Sequence, residues 1–158
     1  MNLKNIFINK APSSHDLVLI GGGHSQITVL KKFGMKPVPG LEITLINKNS
    51  TSSYSGMIPG YIAGTYRRDD TQINLLNLCK FANARLITDD VNGIDILARE
   101  IYLKNRSPVY YDTLSINSGG EPDINEIKGA KKYSIPIKPI SNFIKVFDEI
   151  KNKIKKIN

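Results

Sequence analysis

One cysteine, no tryptophan and two histidines in 158 residues remove several chemistries at the outset. Cys79 alone excludes an internal disulfide and a CxxC redox pair, and it fits a reducing, cytoplasmic setting. On the apolar face of a helix it reads as a core residue rather than a reactive thiol. His15 and His24 have no neighbouring ligands or base that would complete a metal centre or an acid/base pair, so no metal site and no catalytic residue is assigned. Ser13-Ser14-His15-Asp16 is not a triad, because adjacency in sequence does not build nucleophile geometry. No stretch approaches the roughly 18 to 20 consecutive apolar residues of a membrane span. Residues 1–15 lack the apolar segment and small-residue cleavage site of a secretion signal, and read as a polar lead-in.

Acidic charge is scarce at one end only. Of the net +8, residues 1–127 carry +1, from 13 Lys/Arg against 12 Asp/Glu; residues 128–158 carry +7, from 9 Lys against Asp148 and Glu149. A nearly neutral body with a basic tail, and no aromatics interleaved with arginine, does not read as a nucleic-acid binder. An apolar fraction of 41% and a charged fraction of 23% are those of a globular domain long enough to bury a core.

Leu17–Ile20 is a short apolar run leading into glycine, as in a strand buried on both faces. Ile27, Leu30 and Phe33 then fall at helical spacing, with Gly34 as the expected stop. After the PVPG turn, Leu41–Ile46 is a second strand, which makes a βαβ unit. Residues 47–70 read as a long functional or disordered loop, and Gln72–Phe81 as a helix capped by Thr71. Arg85–Thr88 is a third parallel strand. Val91–Ile96, Glu100–Leu103 and Val109–Tyr111 are three short antiparallel strands, and Leu114–Ile116 returns to the main sheet. The tail has apolar residues at 140, 143, 144, 147, 150, 154 and 157 with lysines between them, an amphipathic basic helix.

Gly21-Gly22-Gly23 sits where the first strand becomes the first helix. Strand-end and helix-start N–H groups converge there and favour a phosphate oxygen, provided no Cβ blocks its approach. Gly21 permits the tight turn and Gly23 the approach of a pyrophosphate. The G-x-G-x-x-G pattern is incomplete, since Gln26 stands where the third glycine serves close helix–strand packing; its presence is expected to push the helix outward. Ser25 is the expected phosphate contact, through its hydroxyl or N–H, and His24 a polar contact at the helix start. A glycine turn that binds nothing is the alternative. The second strand ends at Asn47, where an acid binding the ribose diol is expected; an amide accepts only through its oxygen. Asn47 is either a weaker ribose ligand or a turn residue, and Lys48 meets a phosphate or nothing.

VLIGGGHSQ (18–26), LEITLINKN (41–49), YSGMIPGYIAG (54–64), ARLITDDVNGID (84–95) and YDTLSINSGGEP (111–122) together resemble the FAD-dependent pyridine nucleotide-disulfide oxidoreductases. The resemblance is strongest to their type II NADH dehydrogenase-like branch, including the flavoprotein portion fused to selenide, water dikinase in cyanobacteria. It covers about residues 16–140. It implies a Rossmann-like FAD-binding α/β fold, with a parallel sheet, a small antiparallel β-meander and a C-terminal amphipathic helix. It places FAD in the glycine turn, Asn47 near the ribose, Val91 near the adenine, and Asn117-Ser118-Gly119 along the phosphate–ribitol portion. The YSGMIPG loop, with Tyr54, approaches the isoalloxazine or merely packs. Where such proteins usually read Ala-Thr-Gly this chain has Asn-Ser-Gly, which keeps Gly119.

The resemblance further implies NAD(P)H as co-substrate, on a second glycine-turn domain that residues 135–158 would lead into and that this sequence lacks. The expected organisation is therefore a lead-in (1–15), a partial FAD/NAD(P)-binding domain (16–134) and a basic linker and helix (135–158). The expected function is the FAD-binding portion of an NAD(P)H:acceptor oxidoreductase, incomplete for catalysis alone, either as a truncated product or as an excised fragment; a second polypeptide is one source of the absent domain. The alternative is a non-catalytic adenine-dinucleotide-binding or interaction module. In it the basic tail meets a partner or the inner face of an anionic membrane; otherwise the tail is an orphaned interface helix that packs on the absent domain.

Overall fold

The computed structural model describes residues 15–156, so the calls on the lead-in and on Ile157 lie outside the described residues except at His15. The chain divides into two compact units. The first is built from residues up to Ser52 together with Ile73–Ser118, the second from Ser53–Gln72 together with Gly119 onward.

The first unit is a parallel sheet covered on both faces. Strand β1 (His15–Ile20) leads through the glycine turn into helix α1 (His24–Met35) and then β2 (Leu41–Asn47). A short strand β3 (Thr51–Ser53) pairs with β4 (Gln72–Asn74) to make a two-stranded sheet. Helix α3 (Leu75–Phe81) precedes β5 (Arg85–Thr88); α2 (Ile58–Ile62) belongs to the second unit. A meander of β6 (Val91–Asp95), β7 (Glu100–Leu103) and β8 (Val109–Tyr110) leads to β9 (Thr113–Ile116). The main sheet has the order β5-β2-β1-β9, every pair parallel, with Val18 level with both Thr44 and Leu114. The meander is antiparallel. This is the Rossmann-like arrangement, with parallel sheet, meander and C-terminal helix, that the sequence predicts.

Strand alternation divides the core into two. Leu19, Ile43 and Leu45 point to one side and pack with Leu30, Leu75, Cys79 and Ala82 from the helical layer. Val18, Ile20 and Ile46 point to the other and pack with Ile87 and with Ile101, Leu103 and Tyr111. A parallel sheet buried on both faces explains why β1 reads as a continuous apolar run over Leu17–Ile20 and why β2 carries the adjacent apolar pair Leu45-Ile46. Asp89 follows β5 and is buried, which opposes its ionisation, but the N–H groups of Asp90 and Asn105 and the Asn105 amide all donate to it. The donors prevail and its carboxyl titrates below the usual range.

Three local expectations are corrected. Gly34 does not end α1, which runs to Met35; a Cβ on Gly34 would strike the Phe81 ring, so this glycine lets α3 lie close against α1. The predicted helix over Gln72–Phe81 is a strand for its first three residues, and its cap is Asn74, whose side chain accepts the Asn77 N–H at 2.9 Å; Thr71 is not the cap. The loop over 47–70 is not structureless. It holds β3, a 3-10 turn at Ser55–Met57, α2 and a second 3-10 turn at Asp69–Thr71.

The second unit has its own small core, in which Ile58 and Tyr61 of α2 meet Ile144 of helix α5 (Ile140–Lys155), flanked by Ile140, Phe143 and Phe147. A four-residue helix α4 (Ala130–Tyr133) precedes α5. The Tyr61 hydroxyl donates to one Asp148 oxygen and Arg68 reaches the other at 3.2 Å. Burial, then the Asp148 hydrogen bond, pushes the Tyr61 phenol up from its ordinary value. The tail helix is thus not wholly orphaned: its first turns pack on α2, while Ile150 and Ile154 further along stay exposed. Among the described residues, no helix is long and apolar enough to cross a membrane.

Candidate functional site

The glycine turn lies at the carboxyl ends of β1, β2 and β9, where a doubly wound sheet presents its ligand crevice. Each glycine is required for a different reason. Gly21 has φ +88°, and its N–H donates to the Ile46 carbonyl at 2.8 Å; a Cβ there would collide with the Asn117 carbonyl oxygen at the end of β9. Gly22 would place a Cβ 2.7 Å from Leu75 Cδ1 and 3.3 Å from the Asn47 amide. Gly23 would place one 2.5 Å from Asn117 Nδ2. With φ −74° and ψ 171°, Gly23 has an ordinary extended backbone as N-cap of α1, so its glycine is a matter of space and not of backbone angle.

Asn47 is a turn-holding residue in this geometry. Its Oδ1 accepts the Gly22 N–H at 2.8 Å and its Nδ2 donates to the Asn49 carbonyl at 2.7 Å. The amide therefore ties the end of β2 to the glycine turn, with one acceptor position on Oδ1 left over. Lys48 forms an exposed ion pair with Asp90 at 3.3 Å, worth little stability at such a site. Val91 opens β6 opposite Leu103 and packs against the meander side of the core. Ser25 is exposed in the first turn of α1, and the carbonyl of exposed His24 accepts the Thr28 hydroxyl at 3.0 Å. Asn117 is half-buried at the end of β9. Gly119 falls in the second unit, with φ +81° and open space where a Cβ would lie. Tyr54 also belongs to that unit, and its N–H donates to the Thr71 carbonyl at 2.8 Å. Cys79 is buried, and burial pushes its thiol up to about 11, which makes it an inert core residue.

Gln26 is the residue whose role the sequence reading misjudged. It is 1% exposed, and its Nε2 donates to both the carbonyl (3.1 Å) and the hydroxyl (2.9 Å) of Ser115 on β9. In place of a glycine that packs helix on strand by smallness, this chain has an amide that binds helix to strand. The signal was present: Gln26 is four residues before Leu30, on the same buried face. Gln26→Ala is expected to cost about 2–3 kcal/mol, from a small cavity plus two lost hydrogen bonds, measured by urea denaturation. A variant within 0.5 kcal/mol of wild type, roughly the scale of a surface change, would refute the staple.

No family model matches the chain. Two curated relatives do. The NADH dehydrogenase-like protein YutJ of Bacillus subtilis is 26% identical over 139 residues, which cover 86% of this chain and 38% of that protein. An NADH oxidase of Lactococcus lactis is 26% identical over 156 residues, which cover 89% of this chain and 33% of it. This chain resembles the NADH dehydrogenase-like flavoproteins. Among solved structures, the NADH:rubredoxin oxidoreductase of Clostridium acetobutylicum shares the fold, with a TM-score of 0.66 at 22% identity over 88% of this chain and 36% of its own. The chain thus spans about a third of the length of these three proteins, and the resemblance drawn from its motifs is borne out at that length.

Proposed function

We propose that the first unit binds the adenosine diphosphate part of FAD, as the FAD-binding portion of an NAD(P)H:acceptor oxidoreductase. The observation that carries this reading is the glycine turn itself: a strand, three glycines and a twelve-residue helix, at the carboxyl end of a β5-β2-β1-β9 sheet. The donors fit a phosphate oxygen. Gly21 and Gly22 use their N–H groups internally, on Ile46 and Asn47, whereas the Gly23 N–H has no acceptor among the described residues. It stands at the positive end of α1 together with the Ser25 N–H of the first helical turn, which has no intrahelical acceptor among the described residues. In this reading Gly23 and Ser25 bind a phosphate, Asn47 offers its spare acceptor position to a ribose hydroxyl, Lys48 adds positive charge nearby, and Val91 lies by the adenine. His24 completes the cofactor-contacting set of the first unit, with Asn117 beside the turn.

When bound, FAD would supply the hydride-accepting ring, and the protein's task is to hold and shield it. Residues 1–158 span about a third of the curated relatives' length and hold one dinucleotide-type turn, over Gly21–Gly23; NAD(P)H would need another, so turnover is proposed to need more than these residues. Where these residues act apart from such a turn, a second polypeptide is the proposed source. Purified protein is expected to bind FAD with a Kd weaker than about 1 μM and to emerge from gel filtration nearly colourless. Thermal shifts with FAD, ADP, FMN and NADH test the assignment: stabilisation by FAD and ADP but not FMN supports it, and indifference to all four sinks it. Stabilisation by ADP without any NADH-dependent reduction of added FAD, even with a separate NAD(P)H domain present, would favour the non-catalytic binding module.

A further inference from the structure

Asn117 lies in the space that Gly23 leaves open. A Cβ built on Gly23 would meet Nδ2, Cγ and Oδ1 of Asn117 at 2.5, 3.0 and 3.2 Å, so the whole carboxamide covers that side of the turn. This is the side on which the missing side chain would otherwise admit a pyrophosphate. The backbone of Asn117 is fixed, because its N–H donates to the Ile20 carbonyl at 2.8 Å and its own carbonyl oxygen abuts Gly21. Its side chain is not fixed: among the described residues the carboxamide makes no hydrogen bond, and the residue is half-buried.

We infer that Asn117 is the residue that sets diphosphate affinity in this chain, by seating its own amide where a pyrophosphate must lie. The inference rests on the proposed nucleotide site and deepens it. Binding then requires the side chain to rotate away, while the strand end and the glycine turn stay in place. A site competent only in a minor rotamer has its apparent affinity reduced by the population of that rotamer; a competent fraction of about one in ten weakens binding about ten-fold. The penalty falls on ligands that carry phosphate at the turn and not on the adenosine moiety, which does not reach Gly23.

The test compares the full chain with Asn117→Ala and Asn117→Gln, titrating ADP, FAD and adenosine by calorimetry with circular dichroism melts alongside. Asn117→Ala is expected to tighten ADP and FAD about ten-fold and to leave adenosine within two-fold, with an unchanged melting temperature. Asn117→Gln, which keeps an amide over the turn on a longer stem, is expected to bind ADP no better than wild type. If Asn117→Ala binds ADP equally or more weakly while adenosine is unaffected, the amide is a bystander or a phosphate ligand and the inference is overturned. If neither protein binds ADP or FAD at millimolar concentration, the nucleotide site itself is wrong and the inference falls with it. Those two failures are told apart by whether wild type binds at all.

Discussion

Gly21→Ala is expected to destabilise the first unit by about 3 kcal/mol or more, the largest stability loss available from one added methyl in the glycine turn. Two costs add. A non-glycine residue held at φ +88° pays on the order of 1–2 kcal/mol for its backbone conformation. The new Cβ also meets the Asn117 carbonyl oxygen, a backbone atom that cannot swing aside because β9 is paired to β1 through Ile116 and Ile20. Relief would have to come from parting the two strand ends, at the point where Gly21 and Asn117 both donate their N–H groups to the sheet. Gly22→Ala is the control: its neighbour at 2.7 Å is a leucine methyl, which a side-chain rotation can move, so its loss should be about half as large. Chemical denaturation followed by circular dichroism measures both. Equal losses for the two variants, or a Gly21→Ala within 1 kcal/mol of wild type, would show that the turn does not have this geometry.

The contrast between Gly21 and Gly23 also marks how far the sequence alone could be read. The triple glycine, the strands on either side and the meander were legible because each follows from a short-range rule: apolar runs between turn residues, and glycines at a strand–helix junction. Which glycine does what was not legible, since the reasons lie in residues far along the chain, at Leu75 and Asn117. Asn117 decides both Gly21 and Gly23, and Leu75 decides Gly22. Asn47 is a similar case. Its position at the end of β2 was predicted, but its use as an acceptor for the Gly22 N–H depends on the register of β1 on β2, which places Ile20 level with Ile46. Gln26 was read as a defect in a motif because the motif was compared residue by residue; helical spacing to Leu30 shows it as a buried polar staple.

The segment that sequence reading treated as loop, 47–70, failed for a different reason. Gly56, Gly60 and Gly64, with Pro59, lower the helical signal below what periodicity detects. Yet α2 forms, because Pro59 stands in its first turn and Ile58 and Tyr61 bury against Ile144. Tertiary burial outweighs weak local propensity there. The same contact buries Ile144 of the tail helix and partly covers Ile140, Phe143 and Phe147, a point on which its even amphipathic pattern is silent.

Gly23→Val separates ligand approach from fold, and it carries the largest expected effect on binding. At φ −74° and ψ 171° valine takes the extended N-cap conformation without strain. The atom it would strike is Asn117 Nδ2, the far end of a carboxamide that makes no hydrogen bond among the described residues, so the side chain turns away at little cost. The stability loss should stay near 1–2 kcal/mol, with Leu19, Leu30 and Leu45 of the core untouched. Binding should fare otherwise. The valine methyls stand permanently where Asn117 stands only until it rotates, so no rearrangement reopens the approach to the Gly23 N–H. ADP and FAD affinity should fall at least about a hundred-fold, more than about 2.7 kcal/mol, to a Kd of about 100 μM or weaker for a site that begins near micromolar. Asn47→Ala should be milder, about ten-fold weaker, because it loosens the Gly22 N–H and removes one acceptor but leaves the phosphate seat open. Titration of both variants beside their melts gives the comparison. A Gly23→Val protein that binds ADP as wild type does would mean that the triple glycine serves packing alone, through Asn117 and Leu75, and that any nucleotide lies elsewhere.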